Sequence, residues 1–321
     1  MSLNLDISDK SLEDLFKKAI QNKKFMDQLY NASKEKRTKL FDKRVRVYYP
    51  SKAFPSISVT GTQCYLHCKH CNRKYLQGMI PITTAQKLID FCHKHAEKGG
   101  TGCLISGGYT AGGFVPLNKF INAIKEIKET TSLEINVHTG IVDKKMAEAL
   151  AYAGVDSVSI DVSGDIKIIR EIYGLQKTPE DYYKSLINLK AAGIRITPHI
   201  GIGFYYGKID HEFEAMRMIK KVEPDVLVFV VFRPTPGTPL ENLPPPPLEH
   251  VLLVMALARL YMNSTPISLG CMRPSGKYRL LLEEKAVEIA ADRIATPARS
   301  TVSKFTKEGY VIEELNKCCT L

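Results

Sequence analysis

Short apolar runs alternate with longer amphipathic stretches along most of this 321-residue chain. Runs rich in β-branched residues and bounded by Gly, Pro or polar residues read as strands; apolar positions repeating at helical spacing read as helices. Strands are predicted over 56–60, 102–106, 133–138, 157–162, 195–203, 226–232, 267–270 and, more weakly patterned, 292–296. Helices are predicted between them over 84–98, 117–130, 144–154, 179–193, 211–222, 248–263 and 285–291. Gly154 and Gly193 stand just before a strand, where the glycine that ends a helix belongs.

Strand–helix units repeated eight times predict an α/β fold, the (βα)8 TIM-type barrel, with its reactive face at the C-terminal ends of parallel strands. Residues 1–43 carry helical spacing instead, and Ser11 with Asp14 resembles a capping box. The expected organisation is therefore a helical N-terminal extension (1–50), a barrel (51–300) and a short C-terminal tail (301–321). The loop from Pro234 to Pro247 is dense in proline and cannot continue a strand or a helix.

Composition narrows the picture in two ways. The chain is 44% apolar, enough for a large core, yet no apolar stretch approaches the ~20 residues of a membrane span. Its polar first residues lack a signal-peptide pattern, so a soluble cytoplasmic protein with reduced thiols is expected. The net charge of +11 admits an anionic ligand, an acidic protein partner or simply a solvated surface. No RNP motif, helix-turn-helix cue or basic–aromatic interleaving accompanies it, so nucleic acid is not expected.

The chemistry concentrates in the loop after the first barrel strand, where Cys64, Cys68 and Cys71 form a C-x3-C-x2-C run. Three thiolates at this spacing can hold three irons of a [4Fe–4S] cube and leave the fourth iron open to a reaction partner. A zinc knuckle closed by His67 or His70 is the competing reading, and it would make the chain a zinc-binding interaction protein. Ser106, Gly107, Gly108 and Tyr109 follow the second barrel strand, where glycines let the backbone approach a ligand closely. Asn136 with His138, and Ser159 with Asp161, alternate along the next two strands and so point into the barrel.

The cysteine loop and the Gly-Gly segment together resemble the radical S-adenosylmethionine superfamily. That resemblance implies that the open iron is chelated by S-adenosylmethionine, whose one-electron cleavage yields a 5′-deoxyadenosyl radical that abstracts hydrogen. It also implies a low-potential electron donor such as ferredoxin or flavodoxin. His70, standing where an aromatic residue is common, would pack on the adenine; Tyr109 would act through its main chain; Asp161 would accept from the ribose hydroxyls. Arg170, within Arg170-Glu171-Ile172-Tyr173-Gly174, would bind the carboxylate as a planar guanidinium can.

Segments 178–182, 192–194, 201–203 and 234–239 extend the resemblance to the biotin synthase-like branch. The chain departs from biotin synthase itself: Cys271 stands near the place of an arginine ligand, with Arg273 two residues later, and the fifth strand has Thr197-Pro198-His199 without a cysteine. Cys92 and Cys103 fall in apolar segments and read as buried thiols. Cys271, together with Cys318 and Cys319 on the tail, is a candidate ligand set for a second iron–sulfur cluster. The Gly-Cys-Met-Arg-Pro segment and the Cys-Cys ending look like the two-protein lipoyl synthase. This implies sulfur insertion into an octanoyl chain on an acidic lipoyl-carrier protein, with a second radical enzyme as partner. Biotin synthase-like mutases, methylornithine synthase and hydrogenase maturases offer the small-substrate alternative.

Overall fold

The computed structural model describes residue 7 and residues 11–50 and 52–321; of the expected N-terminal extension, residues 1–6 and 8–10 lie outside the described residues. Numbered in chain order, the strands are β1 (Arg44–Tyr48), β2 (Ser56–Ser58), β3 (Ile80–Pro81), β4 (Gly102–Ser106), β5 (Glu134–His138) and β6 (Ser157–Asp161). They continue with β7 (Ile196–Ile202), β8 (Leu227–Val231), β9 (Ile267–Leu269), β10 (Arg293–Ala295) and β11 (Val311–Leu315). The helices are α1 (Leu12–Gln21), α2 (Lys23–Phe41), α3 (Ala85–Glu97), α4 (Ile121–Thr130) and α5 (Lys144–Tyr152). α6 (Pro179–Ala191), α7 (Glu212–Lys221), α8 (Leu248–Tyr261), α9 (Gly276–Ile289) and α10 (Arg299–Lys307) complete the set.

β2 and β4 to β10 are the eight predicted strands, paired in parallel in that order. The sheet does not close on itself as an eight-stranded ring. It continues instead as one curled sheet of eleven strands in the order β11-β1-β10-β9-β8-β7-β6-β5-β4-β2-β3. β1, expected as part of a helical extension, takes the free edge of β10, and β11 from the expected tail adds to β1. Exposed backbone groups at an edge strand attract such additions.

β8 is apolar and buried at all five positions, as a strand covered on both faces must be. α8 is buried nearly all round, because α2 and α9 cover the side that does not face the sheet. Gly154 and Gly193 adopt φ +74° at the ends of α5 and α6, a left-handed conformation that costs glycine nothing.

Residues 316–321 do not hang free. Thr101 donates to the Asn316 carbonyl at 2.7 Å, Lys317 pairs with Glu134 at 3.2 Å, and Ser157 donates to the Thr320 carbonyl at 3.4 Å. Arg293 donates to the Leu321 carbonyl at 2.9 Å. Thr101, Glu134, Ser157 and Arg293 stand at the starts of β4, β5, β6 and β10, so the segment crosses the N-terminal end of the barrel. It thereby ties together the two flanks of a sheet that its own strands leave open.

Arg273, two residues beyond Cys271, is a core residue. It is 4% exposed, and its guanidinium donates to Glu283 at 2.6 Å and to the Gly270 and Ala295 carbonyls. Glu283, fully buried, also accepts from Arg279 at 2.6 Å, from the Ala298 amide at 2.9 Å and from Thr301 at 2.8 Å. Glu283→Ala would leave the Arg273 charge buried without its partner, at an expected cost of about 3–5 kcal/mol. Chemical denaturation of the anaerobic protein checks this; a loss under about 1 kcal/mol would show that water replaces the carboxylate.

Candidate active site

The cysteine loop leaves β2 through Gly61, whose φ of +61° turns the chain across the C-terminal end of the sheet. Gly108 explains how the second loop fits against it. A Cβ there would lie 1.9 Å from the Gln63 carbonyl and 2.6 Å from Cys64, so only glycine allows the contact. The Gly108 amide donates to Thr60 Oγ1 at 2.7 Å, the Tyr65 amide to the Tyr109 carbonyl at 2.7 Å, and the Tyr109 amide to Cys64 Sγ at 3.3 Å. Tyr109 therefore touches the cysteine loop through its main chain.

A third segment closes over the loop. The Lys69 amide donates to the Ile172 carbonyl at 2.8 Å, and Cys68 Sγ donates to the Tyr173 carbonyl at 3.7 Å. Asn72 and Arg73, immediately after Cys71, take φ of +40° and +66°. Two successive non-glycine residues in the left-handed region cost energy, which the surrounding hydrogen bonds must supply.

Cys64, Cys68 and Cys71 all line one cleft of about 200 Å³, open at its mouth. Ser106, Gly107, Gly108 and Tyr109 line it from β4 and the loop beyond, and His138 and Asp161 from β5 and β6. Asp161 Oδ2 lies 3.3 Å from His138 Nε2. Burial pushes the Asp161 carboxyl up, but the imidazole of His138, with His199 and His70 beyond, brings it down to about 2. The cleft thus holds a fixed negative charge beside the glycine-rich wall.

His70 packs edge-on against Phe204 at 4.8 Å and Tyr173 at 5.6 Å between ring centres. Burial lowers its pKa to about 4, so the ring is neutral at physiological pH. His67 is exposed and accepts from Arg73 at 2.7 Å. The His67 imidazole is therefore engaged by Arg73, whereas the His70 ring is held by packing alone. Among the described residues no three His, Cys, Asp or Glu side chains converge as a single ion requires. A cube needs no such convergence, because each thiolate goes to a different iron.

The cleft fits an iron–sulfur cube with its organic partner. Three thiols share it, the Gly107–Gly108 backbone is bare, and His70 Nδ1 and Arg73 Nε are buried without a hydrogen-bond partner. Arg170 does not join them. It is exposed on the turn Ile168–Ile172, whose isoleucines take the buried side, and it does not line the cleft.

The lumen below was only partly legible. Asn136 and Ser159 exchange hydrogen bonds at 3.0 and 3.1 Å, and Ser159 reaches Thr197 at 3.3 Å. His199 lies 5.9 Å from His138 between ring centres and donates through Nδ1 to the Thr197 carbonyl at 2.9 Å. Thr197 and His199 repeat on β7 the polar alternation of β5 and β6, the signal that would have found them.

Cys318 enters this lumen, where Asn136 Nδ2 donates to its sulfur at 3.6 Å. Cys319 is buried against Tyr48 and Ala295. Cys271 is exposed on the turn after β9. Cys318 and Cys271 are close enough to act on each other electrostatically, and Cys271 acts likewise on Cys319. Cys92 and Cys103 are fully buried.

The three-thiol loop, the glycine-rich wall and the curled parallel sheet define an enzyme class that works with a [4Fe–4S] cluster and S-adenosylmethionine. The chain belongs to the radical SAM superfamily, whose family model matches residues 58–218, half of its length. Among curated proteins it is similar to the biotin synthase of Bacillus cereus, 26% identical over 216 residues, which are 65% of this chain and 63% of that one. The biotin synthase of Geotalea uraniireducens is 24% identical over 247 residues, 74% of this chain and 67% of that one. The match thus spans about two thirds of those relatives' length. A solved methylornithine synthase shares the fold with a TM-score of 0.67 at 17% identity, covering 97% of this chain and 95% of that one. The [FeFe]-hydrogenase maturase HydG from Carboxydothermus hydrogenoformans does so with a TM-score of 0.69 at 14% identity, covering 96% and 76%. No described helix is long and apolar enough to cross a membrane.

Proposed function

We propose that this radical SAM enzyme inserts sulfur into an octanoyl chain carried by an acidic lipoyl-carrier protein, alongside a second radical SAM protein. The observation that carries the reading is the course of residues 316–321. They bring Cys318 into the barrel lumen beside Asn136 and place Cys318 and Cys319 within electrostatic reach of Cys271. A thiol buried in a polar lumen has little packing value, whereas thiolates there would hold a sulfur-donating second cluster. Their ligand roles, like those of Cys64, Cys68 and Cys71, belong to this proposal.

Cys64, Cys68 and Cys71 would hold the first cluster, which when reduced by one electron cleaves S-adenosylmethionine and so supplies a hydrogen-abstracting radical. Ser106 to Tyr109 would receive the polar end of S-adenosylmethionine through main-chain groups, and Asp161 would accept from its ribose hydroxyls. Neutral His70 would offer the adenine an uncharged face. Arg170, on an exposed turn bordering the loop, would have to swing inward to meet the carboxylate. The charge of +11 would favour encounter with an acidic carrier.

A small free substrate is the second reading, favoured by the similarity to biotin synthase and by the polar residues His138, Asp161 and His199 deep in the barrel. Incubating the anaerobic enzyme with S-adenosylmethionine, a reductant and octanoylated carrier domain separates the two. A mass gain of sulfur on the carrier is expected; 5′-deoxyadenosine formed without that gain, the second radical protein being present, would sink the carrier reading.

A further inference from the structure

Among the described residues that line the cleft, Arg73 is the single Lys or Arg and Asp161 the single Asp or Glu. Asp161 is taken up by His138 at 3.3 Å. The Arg73 guanidinium has no carboxylate partner among the described residues. Its Nε is buried without a hydrogen-bond partner, and a terminal nitrogen reaches His67 at 2.7 Å. The neighbouring cations point elsewhere. Lys69 donates to the Tyr206 hydroxyl at 2.7 Å, and Lys74 reaches across to Gly237, where an added Cβ would meet its Nζ at 2.8 Å.

The backbone is bent to hold that side chain there. The Lys74 amide donates to the Cys71 carbonyl at 2.7 Å and closes a tight turn. Its two central residues, Asn72 and Arg73, have φ of +40° and +66°. Asparagine tolerates this conformation, but at the second position glycine would be free of strain and an arginine costs energy. The same turn aims the Arg73 amide at the Cys71 sulfur, to which it donates. Residue 73 therefore meets the cysteine loop twice, through its N–H and through its guanidinium.

A cube bound by three thiolates is anionic, and one added electron makes it more so. Hydrogen bonds to its sulfurs and a nearby positive charge favour the reduced form and so raise the reduction potential. Withdrawal of the cation from water strengthens its effect, because the local dielectric is lower than that of bulk solvent. Arg73 offers both the hydrogen bond and the charge, in a cleft whose other lining residues supply no second Lys or Arg.

We propose that Arg73 tunes the first cluster, its buried guanidinium and its N–H holding the reduction potential within reach of a one-electron donor. It shifts an equilibrium: the donor is oxidised by one electron, the cluster is reduced by one, and no bond is made or broken. The proposal rests on the reading of Cys64, Cys68 and Cys71 as ligands of that cluster. It stands whether the substrate is a carrier-bound chain or a small molecule.

Anaerobic potentiometry of the reconstituted protein with viologen mediators tests it, before S-adenosylmethionine is added. The first cluster is identified as the one whose EPR signal changes when S-adenosylmethionine is then supplied. In Arg73→Gln the ratio of reduced to oxidised cluster at a fixed potential should fall about tenfold, a midpoint about 59 mV lower. Arg73→Lys, which keeps the charge, should stay within about threefold of wild type. His67→Glu, at an exposed position, should lower the midpoint too, because a carboxylate there neutralises the guanidinium while Arg73 stays in place. An unchanged midpoint in Arg73→Gln, or in His67→Glu should the glutamine variant lose its cluster, would overturn the proposal. So would an equal drop in Arg73→Lys, which would assign the effect to the turn, or weaker S-adenosylmethionine binding without any shift in midpoint. A wild-type protein with no such EPR signal would instead refute the ligand reading on which the proposal rests, and the proposal with it.

Discussion

Cys64→Ala protein, purified and reconstituted without air, is expected to form no 5′-deoxyadenosine above background. The loss should be on the order of a thousandfold or more, as when one member of a catalytic unit is removed. Cys64 is the thiol that both loops depend on: the Tyr109 amide donates to it at 3.3 Å, and Gly108 is packed against its backbone. Alanine there would delete one of the three proposed iron ligands and remove the acceptor for that amide, leaving the glycine-rich wall without its registration on the loop. Iron analysis and product chromatography check the result together. Full iron content with undiminished cleavage would show that Cys64 is not a ligand and would refute the assignment of the loop.

Removing Cys318 or Cys271 should act differently. Wild-type enzyme is expected to carry about eight irons, whereas Cys318→Ala and Cys271→Ala should each carry about four. Both variants should still cleave S-adenosylmethionine but add no sulfur to substrate. Cys318 is the more telling position, because its sulfur meets Asn136 in the lumen whereas Cys271 is exposed. About four irons in the wild type, unchanged by either substitution, would remove the second cluster and the sulfur-insertion reading with it. Radical chemistry at the first cluster would survive that result.

The cysteine loop and the Gly-Gly segment were readable because both are local. Their spacing along the chain is itself the chemical signal, and the strands before them are short apolar runs ending at the same face. Alternating polar positions on β5 and β6 placed His138 and Asp161 in the interior for an equally local reason. The direction of Arg170 was not legible, because a motif residue on a turn can face either way, and the isoleucines of Ile168–Ile172 claim the buried side. Arg273 looked like a neighbour of a ligand site, yet Glu283 on α9 draws its guanidinium into the core. No pattern around residue 273 announces a partner ten residues away on another element.

Sequence by itself determined the order of strands and helices, the three-thiol loop and the glycine-rich wall, since hydrophobic period and ligand spacing are properties of neighbouring residues. Tertiary structure alone decided that β1 and β11 extend the sheet and that residues 316–321 cross the barrel's N-terminal end with Cys318 turned into the lumen. Each of these depends on contacts between residues far apart in the chain, whose energies come from edge pairing, burial and charge placement that no local window contains.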